Sequence, residues 1–330
     1  VDNNTENQKT NFTVSVDAKD GITTGISAKD RWQTLQVLVN SDSNPKDLVR
    51  PGHMFPLIAK DGGVLQRAGH TEACIDLANL SNHKSVALLV EIVDDDGTMA
   101  RQDSLLKISK EHNIKIISIA DLIAYRKKFD KLIEQISTVP FPTDFGDFEL
   151  RLFEDKVNGD HHIAIIKGEI KKDDNVLVRV HSQCLTGDIF GSLRCDCGLQ
   201  LENSLKMIEK DGKGILVYLR QEGRGIGLKN KIKAYQLQDQ GYDTVEANHK
   251  LGFKSDLREY GIGAQILLDC NVRQMRLLTN NPKKIISLEG FGLKIIDRVP
   301  IEFEPNEVNK KYLSTKRDKL GHLILESTKK

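Results

Sequence analysis

Hydrophobic and polar positions along this chain follow the periods of both strands and helices. Residues 12–17 alternate with a period of two, which predicts a strand that ends before Gly21. Residues 86–93 form a nearly continuous apolar run, which predicts a buried strand, and the turn residues 94–97 end it. Further strands are predicted at residues 115–119, 163–170, 175–181, 214–220, 274–278 and 293–299.

Helical spacing of apolar residues alternates with these strands. Helices are predicted at residues 71–80, 103–112, 199–210, 228–240 and 282–289. Dense charge followed by Pro140 and Pro142 predicts a boundary in residues 127–148. We therefore expect an α/β (α+β) fold with two domains, residues 1–128 and 129–330, each a mixed sheet packed with helices. Two segments are left outside this pattern: a loop at residues 47–63, and a peripheral helix or tail in the last thirty residues.

Composition narrows the class of protein only slightly. The 330 residues carry a formal net charge of +1, so no strong field favours a nucleic acid or membrane partner. No apolar run reaches the ~18 residues that a membrane-spanning helix needs. The polar N-terminus has no signal-peptide pattern, and we expect a cytoplasmic protein, although a removed targeting segment would be invisible here.

Three of the five cysteines, Cys184, Cys195 and Cys197, lie within fourteen residues. An odd number at close spacing is unsuited to a disulfide framework and is typical of metal binding in a reducing compartment. Three thiolates would hold Zn²⁺ and leave one position for water, as in catalytic zinc sites. His181 would close the site as a fourth ligand if the zinc were structural, and both arrangements are open at this point.

Long motifs around these cysteines resemble GTP cyclohydrolase II. Residues 179–188 read RVHSQCLTGD, and residues 190–200 read FGSLRCDCGLQ. The similarity continues through RQEGRGIGL at residues 220–228 and ends with LLTNNPKK at residues 277–284. The family has Glu at the position of Gln183, so the charge at this one position differs.

The resemblance implies hydrolysis of GTP, with opening of the imidazole ring and release of formate and pyrophosphate. It implies homodimers and a zinc ion held by Cys184, Cys195 and Cys197. Asp256 would be the proton acceptor, and Arg258 would act on the α-phosphate. The implied GTP contacts are Arg179, Val180, His181, Ser182, Gln183, Gln200, Glu222, Gly223, Arg224, Thr244, Thr279 and Lys284.

The chemistry of these residue types agrees with most of the implied roles. Arg224 and Lys284 can neutralise phosphate, and Glu222 can accept hydrogen bonds from the guanine edge. Tyr235 can donate its hydroxyl proton during ring opening. A guanidinium stays protonated, so Arg258 is either an awkward nucleophile or an electrostatic clamp on phosphate, and both roles are open. The residues expected to have no role in the site are the solvated Arg220, Lys229 and Lys231 and the core Cys270.

The first domain contains two further motifs, GGVLQRAGHTEA at residues 62–73 and DDGTMA at residues 95–100. Through them it resembles 3,4-dihydroxy-2-butanone 4-phosphate synthase. It implies magnesium-dependent conversion of ribulose 5-phosphate to a four-carbon phosphate and formate. The implied substrate contacts are Arg67, Ala68, Gly69, His70, Thr71 and Glu91, with His70 as a magnesium ligand and Glu91 in acid–base work.

The start of the chain lacks the acidic loop that this synthase family carries. Asp2 and Glu6 are isolated acidic residues there. Magnesium binds several oxygen ligands, and one His, a nitrogen donor, is not enough to hold it. We therefore expect a truncated first domain that has lost its lyase activity, and a bifunctional parent protein if the missing part is encoded.

Two other classes of function fit parts of the sequence. The chain could be a non-catalytic, zinc-containing partner that binds GTP and regulates another protein; the intact Asp256 and Arg258 argue against this. A guanine-nucleotide switch would need the phosphate-binding pattern GxxxxGK[ST], which is missing, and Gly223, Gly225 and Gly227 do not reproduce it.

Overall fold

A computed structural model of the chain describes Thr5 and residues 10–324. The chain divides into two compact units, Val1–Phe129 and Asp130–Lys330, named unit 1 and unit 2 below. The predicted α/β class is confirmed, because both units combine helices with strands. Asp2 and Glu6 lie outside the described residues. Within the described ranges, no helix is both long and apolar enough to cross a bilayer.

Unit 1 has small sheets and helices around a small core. Its elements are β1 (Asn11–Phe12), β2 (Val16–Ala18), α1 (Ala28–Val39), β3 (Leu48–Met54), β4 (Leu57–Ile58), α2 (His70–Leu80), α3 (Gln102–His112) and α4 (Ile119–Phe129). Strand β1 pairs antiparallel with β4, and β2 pairs antiparallel with β3. Val64, Ala73 and Leu122 are buried together and join α2 to α4.

Several predictions for unit 1 are confirmed and others are wrong. Helices α2 and α3 and the turn at residues 94–97 occur where expected. Residues 47–63 contain β3 and β4 rather than a loop, because their pairing partners come from distant sequence. Residues 86–93 and 115–119 form no strand; Val90 is 75% exposed and Ile117 58%. An apolar run becomes a strand only when another strand satisfies its backbone groups.

Unit 2 is built on one large sheet. Its strands are β5 (Ile133–Thr143), β6 (Gly146–Asp155), β7 (His161–Lys167), β8 (Asn175–Ser182), β9 (Gly214–Leu219), β10 (Gln274–Leu278) and β11 (Lys294–Val299). Its helices are α5 (Leu185–Asp188), α6 (Cys197–Asp211), α7 (Gly227–Asp239), α8 (Thr244–Lys250), α9 (Gly261–Asp269), α10 (Pro282–Glu289) and α11 (Lys310–Asp318). The strands and helices predicted after residue 160 are confirmed to within a few residues.

The seven strands lie in the order β11-β10-β8-β9-β7-β6-β5. Strands β11, β10, β8 and β9 are parallel neighbours, and β7, β6 and β5 continue the sheet antiparallel. Pro140 and Pro142 lie inside the edge strand β5, where a residue without an N–H is tolerated. The sheet is therefore mixed, and its parallel half gives a shared carboxyl edge at which β8, β9 and β10 end.

The central parallel strands β8 and β9 are buried on both faces. Val178 and its alternate neighbours on β8 pack with Ile266 of α9 on one face of the sheet. Leu177 points to the other face and packs with Ile208 of α6. A sheet covered by helices on both sides is rigid, and it fixes the loops that follow β8, β9 and β10.

Candidate active site

A cavity opens at the carboxyl edge of β8, β9 and β10 in unit 2. The space between its atoms, counted together with its open mouth, is about 1070 Å³. Ligands of open α/β sheets bind at this edge, because the loops that follow adjacent strands converge there. The predicted site residues that line the cavity are Arg179, His181, Ser182, Gln183, Cys184, Cys195, Cys197, Gln200, Glu222, Gly223, Arg224, Tyr235, Thr244, Arg258, Thr279 and Lys284.

Two predicted site residues of unit 2 lie behind the cavity wall. The Val180 side chain is fully buried in the core, and only its backbone carbonyl takes part, by accepting a hydrogen bond from Lys284 Nζ at 2.7 Å. Asp256 sits behind Arg258 and contacts it through both carboxylate oxygens. These two residues would influence a ligand through their neighbours.

The three clustered cysteines come together at one end of the cavity. Cys184 follows β8, Cys195 lies in the next loop, and Cys197 begins α6. Their sulfur atoms all lie within 4.8 Å of one another, with 3.7 Å between those of Cys184 and Cys195. Gly187 leaves the space beside them open, since a Cβ there would meet Cys195 Sγ at 2.8 Å. This geometry and donor set fit a zinc ion.

His181 does not join the cysteines as a fourth ligand. Its Nε2 lies 3.1 Å from Asp188 Oδ1, and Tyr218 donates its hydroxyl to the other oxygen of Asp188 at 2.7 Å. Asp188 also accepts from the backbone N–H of Cys184. The carboxylate therefore fixes both the imidazole and the first cysteine, and the metal-binding group among the described residues consists of the three cysteines.

The trio has an uneven protonation pattern in the absence of a metal. Hydrogen bonds from Cys195 and Cys197, followed by the charge of Lys231, lower the pKa of Cys184 far below its usual range. The hydrogen bond with Cys184 raises the pKa of Cys195 to about 11, and the pKa of Cys197 is raised for the same reason. Binding of a metal by all three sulfur atoms would therefore release protons from Cys195 and Cys197.

Lys231 is not a solvated charge, and that prediction is wrong. Its Nζ lies 2.7 Å from Glu222 Oε1 and 3.1 Å from Cys184 Sγ, and its side chain is 9% exposed. Although burial acts to lower it, the pKa of Lys231 is raised by the hydrogen bond to Glu222 and the charge of Cys184. Arg220 and Lys229 are exposed and Cys270 is buried in the core, as predicted.

The segment after β9 aims Glu222 and Arg224 into the cavity. Glu222 accepts from the backbone N–H of Leu185 at 2.6 Å as well as from Lys231. Arg224 has a left-handed backbone conformation with φ of 64°, which is uncommon for a residue with a side chain. Its carbonyl accepts from Leu257 N–H, which ties this segment to the loop that carries Asp256 and Arg258.

Asp256 and Arg258 form a buried bidentate ion pair rather than a solvated one. Arg258 donates to the two Asp256 oxygens at 2.9 and 2.6 Å, and the side chains are 15% and 17% exposed. Burial acts to raise the pKa of Asp256, but the hydrogen bond and charge of Arg258 lower it. The pKa of Arg258 is raised, despite burial, by Tyr260 and Asp256. Both groups are therefore charged at neutral pH.

Sequence reasoning missed a second set of cavity residues. The missed cavity residues are Arg194, Gln221, Ile226, Lys231, Ala234, Gln238, Asn248, Asn280, Asn281, Tyr312, Lys316 and His322. Asn281 precedes the predicted helix start at Pro282, and this was the signal available for it. The last three come from the segment predicted as a peripheral helix or tail, so no local pattern pointed to them.

The predicted site residues of unit 1 are distributed around the start of α2. Arg67 donates to Glu72 at 2.7 Å, with Ala68 and Gly69 between it and the helix. His70 is the first residue of α2 and is exposed, Thr71 follows it half-buried, and Glu91 is exposed in the segment before the turn. Within the described residues, the cysteine trio is the one group of metal-binding type, so the structure groups neither His70 nor Glu91 with further ligands.

Comparisons with known proteins account for both units. The family model of GTP cyclohydrolase II matches residues 134–300, and that of 3,4-dihydroxy-2-butanone 4-phosphate synthase matches residues 1–125. The riboflavin biosynthesis protein RibBA of Chlorobium phaeovibrioides is 57% identical over 98% of this chain and 79% of its own length. The chain belongs to the RibBA family. A second RibBA member, from Bacillus subtilis, is 56% identical over 98% of this chain and 81% of its own.

Family membership gives the chain two kinds of enzymatic domain, a GTP cyclohydrolase II and a 3,4-dihydroxy-2-butanone 4-phosphate synthase, as in bifunctional RibBA proteins. A solved structure with similar organisation is RibBX of A. baumannii, described as a two-domain 3,4-dihydroxy-2-butanone 4-phosphate synthase. It aligns with a TM-score of 0.59 and 34% identity over 91% of this chain and 79% of its own.

The comparison corrects the expectation for the first domain. The synthase family model matches from the first residue of the chain to residue 125. A truncated domain that has lost its lyase activity is therefore not supported, and the absence of an acidic motif in residues 1–10 was weak ground for inferring it. Unit 1 is therefore a 3,4-dihydroxy-2-butanone 4-phosphate synthase domain by family membership.

Proposed function

We propose that unit 2 hydrolyses GTP, opens the imidazole ring of its guanine and yields 2,5-diamino-6-(5-phosphoribosylamino)pyrimidin-4-one, formate and pyrophosphate. One observation carries the proposal: a buried thiol trio and several cationic side chains line the same cavity. The thiols suit a metal that activates water, and the cations suit a polyphosphate. GTP is a substrate that uses both features.

The cysteine trio would hold zinc with one coordination position open. When bound, zinc supplies a Lewis acid and a water of lowered pKa, about 7 in well-studied sites. Tyr235 lies beside the trio, with its hydroxyl 3.2 Å from Thr186 Oγ1. Burial raises the pKa of Tyr235, so it keeps its proton at neutral pH. We assign it as the proton donor to the ring that opens.

Lys231 would stabilise this metal centre through its contact with the ligand Cys184. We expect Lys231→Met to weaken zinc binding or activity by about 10–100-fold, the usual effect of losing a partner of a metal ligand. The reason is that Cys184 and Glu222 both lose the cation that contacts them. Competition with a chromogenic zinc chelator measures the affinity. Lys229→Met on the same helix, where the side chain is exposed, is the matched control; equal zinc affinity in the two variants would contradict this role.

The basic side chains that line the cavity, among them Arg179, Arg224, Arg258 and Lys284, would bind the phosphates. Lys284 is buried and donates to the Val180 carbonyl, and burial together with the charges of Arg179 and Arg258 lowers its pKa well below the usual range. A lysine held among cations in this way gains its charge more easily when an anion enters. We therefore expect Lys284 to carry its full positive charge only when a polyphosphate is bound.

Arg258 is proposed as an electrostatic clamp on the α-phosphate. Its raised pKa makes loss of a proton, which a nucleophile would need, even less favourable. Asp256 orients the guanidinium through two hydrogen bonds. Because both oxygens of Asp256 are occupied and its pKa is lowered, we assign it to positioning; its implied role as proton acceptor stays a prediction.

For unit 1 we propose conversion of ribulose 5-phosphate to 3,4-dihydroxy-2-butanone 4-phosphate and formate. The family match over residues 1–125 supports this, and Arg67 is a suitable cation for the sugar phosphate. The described residues do not fit magnesium, because His70 is exposed and has no grouped carboxylates. The expected homodimer and the cytoplasmic location also stay predictions, the first testable by light scattering.

A product assay on the purified chain tests both proposals. With zinc-loaded protein and GTP, we expect formate and pyrophosphate in equal amounts, together with the diaminopyrimidine detected by mass. A parallel reaction with ribulose 5-phosphate and added magnesium should release formate without GTP. Absence of formate from GTP would overturn the proposal for unit 2, and its absence from ribulose 5-phosphate the one for unit 1.

A further inference from the structure

The C-terminal segment, defined here as residues 301–324, packs beside the cavity although the GTP cyclohydrolase II match ends at residue 300. Four of its apolar residues are buried, Ile301, Leu313, Leu320 and Ile324, whereas Val308 is exposed. Asn280 anchors both ends of the segment. Its side chain exchanges two hydrogen bonds with the backbone of Ile301, and its carbonyl accepts from Leu323 N–H at 2.8 Å. Because Asn280 itself lines the cavity, the anchor is part of the site.

Lys316 connects α11 to residues on the opposite side of the cavity, through Asp196. Its Nζ donates to Asp196 Oδ1 at 2.6 Å, and the lysine side chain is 10% exposed. The other oxygen of Asp196 accepts from Gln200 Nε2 at 2.6 Å. Gln200 in turn accepts from Arg179, which also donates to the carbonyl that ends β10. A continuous chain of charged and polar contacts therefore runs from α11 to two predicted GTP contacts.

His322 lies at the other end of the C-terminal segment, where it lines the cavity among cations. Burial, then the charges of Lys316 and of three further cations, lowers its pKa to about 3. The three further cations are Arg224, Arg258 and Lys284. A neutral imidazole in this position offers one N–H donor at the place where four basic side chains converge. Such a place suits the phosphates of a nucleotide.

We propose that the C-terminal segment is a wall of the GTP site, in which His322 contacts the polyphosphate. Lys316 is a positioning residue in this wall and acts on Gln200 and Arg179 through Asp196. The inference rests on the proposed GTP cyclohydrolase function. It assigns a binding role to residues outside the family match, from the anchor at Asn280, the hydrogen-bond chain of Lys316 and the position of His322.

The first test replaces His322 with Ala. We expect KM for GTP to rise about tenfold, the cost of one hydrogen bond to a charged group, with kcat changed less than about threefold. Inhibition by inorganic tripolyphosphate should weaken by a similar factor, whereas inhibition by guanosine, which has no phosphate, should stay constant. Lys310→Met, an exposed position on α11, is the control for effects on the segment as a whole.

The second test replaces Lys316 with Met and with Arg. We expect Lys316→Met to lower kcat/KM for GTP about 100-fold, since Gln200 and Arg179 lose their fixed geometry, and Lys316→Arg to restore part of it. Zinc content and the thermal unfolding midpoint of each variant verify that the fold and the metal centre are intact. If Lys316→Met fails to fold, Lys316→Arg and His322→Ala carry the test.

Unchanged KM and unchanged tripolyphosphate inhibition in His322→Ala would overturn its role as a contact. A folded Lys316→Met chain with unaltered kcat/KM would overturn the positioning role. Failure of the underlying function is distinguishable, because the unmodified chain would then release no formate from GTP. In that case calorimetric binding of tripolyphosphate to the unmodified chain and to His322→Ala still decides whether this wall binds polyphosphate.

Discussion

Replacing Cys195 with serine is expected to remove zinc from the chain and to lower formate release from GTP by about 10³-fold or more. A serine hydroxyl is not deprotonated at neutral pH and does not replace a thiolate ligand, so two sulfur atoms are left to hold the ion. The rate falls because the pKa of the attacking water returns from about 7 toward 15.7. Elemental analysis of the purified variant and a formate assay under saturating GTP measure the two effects.

Cys270→Ser is the matched control for this substitution. Cys270 is 2% exposed in the core of unit 2 and is not in the trio. The change is expected to lower the unfolding midpoint while zinc content and turnover per folded molecule stay normal. Two outcomes for Cys195→Ser would contradict the mechanism: loss of zinc with retained turnover, or loss of turnover with zinc fully retained and the fold intact.

The elements that sequence reasoning placed well are those with strong local signals. Helix α10 has the predicted bounds, because Asn281 caps it and accepts from Lys283 N–H while Pro282 opens it. Strands β8 and β9 are buried on both faces and show as apolar runs in the sequence. Residues 86–93 show a similar run but form no strand, since pairing depends on residues elsewhere in the chain.

The candidate site was predictable where local motifs carry its residues, and it was not predictable where contacts between distant segments complete it. The cysteine spacing and the surrounding motifs pointed to the trio, Glu222 and Arg258. The sequence around Lys231 is that of a polar helix, so it predicted a solvated charge. Lys231 is buried because Glu222 and Cys184, which lie in two other loops, contact it. Lys316 contacts Asp196 across 120 residues of sequence, a separation at which no local pattern carries information.

Replacing Arg258 with alanine is the second substitution expected to have a large effect. We expect kcat to fall by about 10²–10³-fold, which is typical when one preorganised donor to the transition state is removed. Arg258→Lys keeps the charge but not the two-point contact with Asp256, and it should lose less. Single-turnover kinetics with GTP, followed by mass analysis of the quenched protein, measures both the rate and any covalent nucleotide on the chain.

Guanidinium ion added to Arg258→Ala separates a clamp from a nucleophile. If Arg258 stabilises charge, free guanidinium occupying the vacated space beside Asp256 should restore part of the rate and leave no nucleotide attached to itself or to the protein. If Arg258 is the nucleophile, the unmodified enzyme should yield a quenched nucleotide adduct at this residue, and rescue should yield a guanidinium adduct. Arg220→Ala, at an exposed arginine just after β9, should need no rescue. The raised pKa of Arg258 and its occupied partner Asp256 both favour the clamp.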